Sequence, residues 1–154
     1  MRRQRTVVRL LMLLLALVPL MVPLLESVSW LRHVGQLLRS LYGLQCHQSP
    51  ARSWNVQGAA LPVCSRCLGI YVGLGLASAL DRPRLRRDEY KAWIFIGAAL
   101  LGCDVLTEWV GLRPAQAGLR FVTGLVISYG IALSVLAVLR PPSGAREGCR
   151  PRGA

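Results

Sequence analysis

Three cysteines and one histidine lie close together in this chain and are the residues best suited to chemistry. Cys46 and His47 are adjacent, and Cys64 and Cys67 follow with a C-x-x-C spacing. Thiolate and imidazole groups are the ligands with which proteins hold zinc tetrahedrally. The pattern therefore predicts a metal site made by Cys46, His47, Cys64 and Cys67, with zinc first and iron or copper next.

The same cysteines could instead form a disulfide, either Cys64 with Cys67 or one of them with Cys46. Such a bond could be structural, or it could be a redox pair that exchanges electrons with a quinone or a redox protein. Adjacent residues ligate one ion only where the chain turns between them, so His47 could also orient or protonate a thiol. Leu68 follows Cys67 where a covalent c-type haem requires histidine. Whether the protein is an enzyme stays open.

Long apolar segments must position these residues. The chain has 154 residues, of which 53% are hydrophobic and 17% charged, which is too apolar for an ordinary soluble domain. Residues 7–28, 61–80, 92–112 and 118–139 each extend to about 30 Å as a helix. We expect an all-α integral membrane bundle of about four transmembrane helices. Residues 1–28 would be an anchor, 29–139 a Cys/His loop with a three-helix membrane domain, and 140–154 a disordered basic tail.

Two further patterns concern helix packing. Residues 29–45 place apolar side chains at helical spacing and end near Gly43, which predicts an amphipathic helix lying in the membrane interface or packed on the bundle. Gly69, Gly73 and Ala77 recur every four residues on one face of the second apolar segment. Such a stripe of small residues lets another helix approach closely.

The basic residues indicate the partner and the orientation. The net charge is +12, but the charges flank apolar segments instead of forming one patch, which favours a lipid bilayer over a nucleic acid. With the N-terminus inside, thirteen basic residues fall on the cytoplasmic side and six outside. We therefore expect a multi-pass plasma membrane protein with cytoplasmic N- and C-termini. The Cys46 loop would face outward.

Ionisable residues within the predicted spans are the second group of candidates. Helix rise places Cys64 and Cys67 roughly 5 and 9 Å below the outer boundary, and Asp104 and Glu108 roughly 12 and 6 Å below it. Arg120 opens the last span at the same side, where it could be their counter-ion. Such charges usually pair or line a cavity. They would fix helix packing, surround the metal site, or form a small-molecule or ion pathway, for which four spans are few unless several copies assemble.

The remaining candidates have simpler expected roles. Arg66 lies on another side of its helix from the cysteines. Its simplest role would be to extend to lipid head groups, and the alternative is that Arg66 and Arg52 join Asp104, Glu108 and Arg120 as polar residues around the metal site. Cys103 is expected to be a small buried hydrophobic residue, and Cys149 a free thiol in the tail.

At these residues the chain resembles a family of small predicted membrane proteins, domain of unknown function 2085. The resembling motifs are Cys46-His47-Gln48-x-Pro50-x-Arg52-Ser53-Trp54, Pro62-Val63-Cys64-x-Arg66-Cys67-x-Gly69-Ile70-Tyr71-x-Gly73, Asp104, and Gly111-Leu112-Arg113 with Arg120-x-x-Thr123-Gly124. The resemblance implies that these positions, Arg52 and Arg66 included, act together, but it supplies no activity. This chain has Glu108 where the family tends to show Gln, and Ala117 where it tends to show Asn.

Overall fold

The computed structural model describes residues 2–48, 52–56, 58–80, 87–112, 114 and 116–139. Five α-helices and one short hairpin account for most of these residues. In chain order they are α1 (Arg2–Ser27), α2 (Arg32–Gly43), β1 (Asn55–Val56), β2 (Ala59–Ala60), α3 (Ser65–Leu80), α4 (Arg87–Trp109) and α5 (Ala117–Val138). The expected all-α class is confirmed. The predicted basic tail, residues 140–154, lies outside the described residues.

Within the described part of the chain, three helices are long and apolar enough to cross a bilayer: α1, α4 and α5. α1 continues through Pro19 and Pro23. α3 is apolar but shorter, since its 16 residues give about 24 Å against about 30 Å of hydrocarbon. Three of the four predicted spans are therefore supported by helices of sufficient length, and α3 as the fourth span stays a prediction. The side chains of Leu14, Phe95 and Leu106 are more than half exposed, which is typical of a surface that faces lipid.

α3 begins later than the apolar segment 61–80 predicts, so the predicted start of this helix is wrong. The Leu61 N–H donates to the Trp54 carbonyl at 2.9 Å, which holds the chain after the hairpin in a non-helical conformation. The Cys64 carbonyl then accepts the Leu68 N–H at 2.9 Å, so Cys64 occupies the N-cap position. The depths calculated for Cys64 and Cys67 from a helix starting at Leu61 therefore do not hold.

α3 lies between α1 and α5, and small residues let it approach α5 at backbone distance. A Cβ on Gly69 would meet the Phe121 carbonyl, and one on Gly73 would lie 2.6 Å from the Leu125 carbonyl oxygen. Ala77, one turn further, is fully buried. The predicted small-residue stripe is therefore the α3–α5 contact. Because these contacts advance in the same direction along both helices, α3 and α5 are parallel.

The other neighbouring helices are antiparallel. The Arg9 guanidinium, near the beginning of α1, donates at 3.0 and 2.7 Å to the Ser78 carbonyl near the end of α3. Near the end of α4, Asp104 Oδ2 lies 3.4 Å from Thr123 Oγ1, which is near the beginning of α5. The beginning of α3, the end of α4 and the beginning of α5 therefore meet at one end of the bundle.

α2 is the predicted amphipathic helix, fixed to the end of α1. The Arg39 guanidinium donates to both carboxylate oxygens of Glu26 at 2.7 Å each, and to the Ala60 carbonyl at 3.0 Å. These hydrogen bonds to Glu26 raise the pKa of Arg39 above its usual range. Leu37 and Leu41 on the apolar face are more than half exposed. An uncovered apolar face favours a position in the membrane interface over one inside the bundle.

Candidate functional site

Three cysteines from separate parts of the chain meet at the beginning of α3. Cys46 follows α2, and its N–H still donates to the Tyr42 carbonyl at 2.9 Å. Cys64 immediately precedes α3, and Cys67 lies in its first turn. The three sulfur atoms all lie within 4.8 Å of one another, and the Cys64 N–H donates to Cys46 Sγ at 3.2 Å. We refer to Cys46, Cys64 and Cys67 as the cysteine cluster.

The cysteine cluster sits at the positive end of α3 in an apolar surround. Cys64 occupies the N-cap position of α3, next to the N–H groups of the first turn that have no partner within the helix. Free N–H groups and the helix dipole stabilise negative charge at this position. Buried apolar side chains enclose the cluster, namely Leu61, Val63 and Leu68. The surroundings therefore suit thiolates that are shielded from water.

The distances within the cluster suit a metal ion. All three thiols are free. Zinc–sulfur bonds of about 2.3 Å place the sulfur atoms of a tetrahedral site about 3.8 Å apart, within the spread of the cluster. Thiolate donors select soft or borderline ions such as zinc. A disulfide needs a sulfur–sulfur distance of about 2.05 Å, which two of these cysteines would reach only by moving closer together.

His47 does not join the cysteine cluster. Its side chain is exposed, and its ring nitrogens are not among the ligand atoms that lie within 4.8 Å of one another. The next residue, Gln48, donates from Nε2 to the Arg39 carbonyl at 2.6 Å, which ties this segment to α2. Ligation by His47 would require the chain to turn after Cys46, so its role as a ligand stays a prediction.

A network of charged side chains lies beside the cluster and joins α3, α4 and α5. Arg66 Nη2 lies 2.5 Å from Asp104 Oδ2 and 3.5 Å from Glu108 Oε2. Arg120 pairs with Glu108 as expected, and Arg52 lies 3.6 Å from the same carboxylate. The expectation that Arg66 extends to lipid head groups is wrong, because Asp104 and Glu108 draw it toward α4. These five residues are called the charged network below.

Burial explains why the charged network is paired. The Asp104 side chain is 2% exposed and that of Arg120 is 5% exposed. A charge removed from water is tolerated only when it is neutralised and hydrogen-bonded. Thr123 adds a hydroxyl 3.4 Å from Asp104. Because both carboxylates are paired with arginine, the network supports a role in helix packing more than a small-molecule or ion pathway.

The charged network and the cysteine cluster are electrostatic neighbours. Arg66 stands between Cys64 and Cys67 in the chain, so the charged network and the cluster share the first turn of α3. The network contains three arginines and two carboxylates, so it carries one excess positive charge. A negatively charged cluster would therefore be stabilised at this position.

Residues 46–135 match a family described as a predicted membrane protein, DUF2085. The matched segment is more than half of the chain and includes the cysteine cluster and the charged network. The chain belongs to the DUF2085 family. Membership in this family indicates a membrane protein but gives no activity. The functional interpretation therefore depends on the geometry of the site.

Two curated relatives of this DUF2085 member are themselves uncharacterized proteins. One, from Methanocaldococcus jannaschii, is 31% identical over 118 residues, which cover 73% of this chain and 75% of the relative. Another, from Methanothermobacter thermautotrophicus, is 37% identical over 92 residues, covering 57% and 81% respectively. No solved structure matches the chain.

One small cavity of this DUF2085 protein is lined by two cysteines of the cluster, and a second cavity lies next to it. The first, called the thiol cavity, has about 220 Å³ and is lined by Gln45, Cys46, Val63, Cys67, Ile70 and Tyr71. The second, called the α1–α2 cavity, has about 170 Å³ and is lined by Leu15, Leu38, Leu41, Tyr42, Gln45 and Tyr71. The Tyr71 hydroxyl donates to Gln45 Oε1 at 2.9 Å between them. Burial raises the pKa of Tyr42 to about 12, so this phenol stays neutral.

A separate groove of about 450 Å³ lies between α4 and α5. Its walls are Leu100, Cys103, Asp104, Thr107, Leu112, Leu119 and Thr123. Cys103 is exposed there, so the expectation of a buried residue is wrong: among the described elements the extensive contact of α4 is with α5, and Cys103 lies at the edge of that contact. Cys149 lies outside the described residues.

Analysis of the sequence did not identify Gln45 and Tyr71 as part of the site. Tyr71 belongs to one of the motifs that carry the family resemblance, and Gln45 directly precedes Cys46. Both residues could therefore be noted in the sequence, but only the fold shows that they line both the thiol cavity and the α1–α2 cavity.

Proposed function

We propose that this membrane protein binds a divalent metal ion, zinc first and iron or copper next, through the thiolates of Cys46, Cys64 and Cys67. One observation carries the proposal: three sulfur atoms lie within 4.8 Å of one another although Cys46 is 18 residues from Cys64. Thiolates gathered in an apolar surround are a common setting for zinc. The ion would link the segment after α2 to the beginning of α3.

Charge balance supports the proposal. Three thiolates with one divalent ion carry a net charge of −1, and the charged network carries one excess positive charge. Opposite charges stabilise each other most strongly where water is excluded.

The orientation of the site is a further part of the proposal. With more basic residues in the N-terminal segment, the α3–α4 connection and the tail than in the other connections, these parts would be cytoplasmic. The protein would then be a multi-pass plasma membrane protein with both termini inside, α3 as a short fourth span, and the cysteine cluster at the outer face.

Elemental analysis combined with free-thiol counting on the same detergent-purified sample tests the proposal. We expect about one zinc per chain in the wild type, lost in Cys64→Ser and retained in Cys103→Ser. Cys103 is the matched control because it is exposed and lies outside the cluster. Metal-free wild-type protein of full stability would overturn the proposal.

Thiol–disulfide exchange is the second candidate, favoured by the free thiol of Cys64 at a helix N-terminus. Cys64 or Cys67 would attack a disulfide, and Cys46 would resolve the mixed disulfide. Closing a disulfide within the cluster releases two electrons and two protons, which a quinone or the disulfide of a redox protein would accept. A trapped mixed disulfide in a variant lacking Cys46 would support this function, and an unchanged thiol count after reductant treatment would exclude it.

A further inference from the structure

We propose that the fourth coordination position of the metal opens into the thiol cavity and is filled by a small aliphatic thiol that is not part of the protein. This inference rests on the proposed metal site. It differs from a closed structural site, in which the chain itself would supply four ligands.

The number of ligand atoms in the cysteine cluster indicates that one coordination position of the metal is open. Zinc takes four ligands in most protein sites, and a site with three protein ligands leaves the fourth to water or substrate. Among the described residues, the group of ligand atoms that lie within 4.8 Å of one another contains three sulfurs and no fourth donor. His47 is exposed and stays outside it.

The thiol cavity provides space at this position. Cys46 and Cys67 both line it, together with the aliphatic Val63 and Ile70. Its volume of about 220 Å³ is below the about 300–1,000 Å³ typical of pockets for drug-sized ligands. The cavity would therefore admit a short chain of a few carbon atoms with one donor atom.

The chemistry of the walls selects the donor. Two sulfur-bearing residues and two aliphatic residues form most of the cavity wall, and the Tyr71 hydroxyl donates to Gln45 Oε1 at 2.9 Å, which leaves the Gln45 amide N–H groups as polar groups of the wall. A metal that already holds thiolates favours a further soft donor. An alkanethiol combines such a donor with an apolar chain. It would bind as the thiolate with release of its proton to solvent, which gives the site a net charge of −2, half of which the charged network offsets.

The α1–α2 cavity lies next to the thiol cavity, with the Tyr71–Gln45 hydrogen bond between them. It shares Gln45 and Tyr71 with the thiol cavity, and its other walls include Leu15 on α1 and Leu38 on α2. The mostly apolar walls of both cavities favour a ligand with an aliphatic chain over a charged one.

Cobalt substitution tests the inference with the full-length protein in detergent. One equivalent of Co²⁺ is added, and 1-butanethiol is titrated while the visible bands are recorded. We expect a thiolate-to-cobalt band before the thiol is added, and a shift of the visible bands on its addition. His47→Ala should respond like the wild type. Ile70→Trp, which fills the cavity, should weaken the response at least about tenfold.

A second comparison uses Ile70→Ala and a thiol too large for the wild-type cavity. Ile70→Ala enlarges the cavity, so it should bind a branched bulky thiol that the wild type rejects. The thiolate-to-cobalt band reports in each variant that the cysteine cluster still forms. If the visible bands of the wild type do not shift on addition of thiol while those of His47→Ala do, the inference is overturned and His47 is the fourth ligand. Equal responses in wild type and Ile70→Trp would also overturn it. Absence of any thiolate-to-cobalt band would instead overturn the metal site itself.

Discussion

Arg66 Nη2 lies 2.5 Å from Asp104 Oδ2, and Arg66 stands between the two cysteines of the C-x-x-C motif. The first turn of α3 therefore carries both a thiol of the cysteine cluster and the cation that holds α4. The beginning of α3 also contacts α5, because Gly124 packs against the Arg66 carbonyl. The candidate metal site and the helix packing consequently depend on the same turn.

Replacing Arg66 by Gln should destabilise the protein strongly. The change leaves the Asp104 carboxylate, which is 2% exposed, without its partner at 2.5 Å, and breaking a buried ion pair costs up to about 3–5 kcal/mol. Thermal or chemical unfolding in detergent measures the loss. Arg52→Gln is the matched control, since Arg52 is 52% exposed and 3.6 Å from Glu108, and it should cost less than about 1 kcal/mol.

A double variant separates the ion pair from other effects at Arg66. Arg66→Gln with Asp104→Asn also removes the carboxylate charge that Arg66 pairs with, and it should recover part of the stability lost in Arg66→Gln. Losses that simply add, or equal losses in Arg66→Gln and Arg52→Gln, would contradict a buried pair at this position.

Gly73→Ala should destabilise the contact between α3 and α5. Its Cβ would lie 2.6 Å from the Leu125 carbonyl oxygen, and forcing atoms into a packed interface costs about 1–3 kcal/mol. Gly102→Ala is the control, because its Cβ meets nothing within 4 Å and alanine is preferred to glycine within a helix by about 0.5–1 kcal/mol. Unfolding of both variants in detergent should give opposite signs, and a neutral Gly73→Ala would refute the close approach.

The sequence was sufficient for the parts of the fold that depend on composition and length. Apolar segments predicted α1, α4 and α5, and helical spacing predicted α2. Antiparallel passage through a bilayer also predicted that Cys67, Asp104 and Arg120 reach the same end of the bundle, since each alternate segment reverses direction. The fold bears out this common end.

Three features could not be predicted from the sequence because they depend on tertiary contacts. Hydropathy does not distinguish a helix from a buried extended segment, so the hydrogen bond of Leu61 to the hairpin was missed. The side on which Arg66 emerges follows from the rotation of α3, which the glycines facing α5 determine. Cys103 has the same hydropathy whether it faces lipid or protein, so its exposure was not visible either.

Zinc should stabilise the wild-type protein against thermal unfolding. An ion that binds the folded state alone adds about 2.7 kcal/mol at a free concentration of 100 times its Kd. A chelator should remove this gain from the wild type and from Cys103→Ser, and it should have no effect on Cys64→Ser. A melting temperature that changes with neither zinc nor chelator in all three proteins would argue against a metal that links α2 to α3.

Labelling intact cells tests the proposed orientation. In a background with Cys103→Ser and Cys149→Ser, Val56→Cys places a thiol in the hairpin and Lys91→Cys places one at the beginning of α4, both at exposed positions. A membrane-impermeant maleimide should add one label to Val56→Cys relative to its parent, and should label Lys91→Cys only after permeabilisation. The reverse result would place the cysteine cluster in the cytoplasm.

X-ray absorption at the zinc edge measures the proposed coordination most directly. With zinc-loaded full-length protein in thiol-free buffer, we expect three sulfur neighbours at about 2.3 Å and one lighter atom, unchanged in His47→Ala. A first shell made only of nitrogen and oxygen neighbours would contradict a site built from Cys46, Cys64 and Cys67.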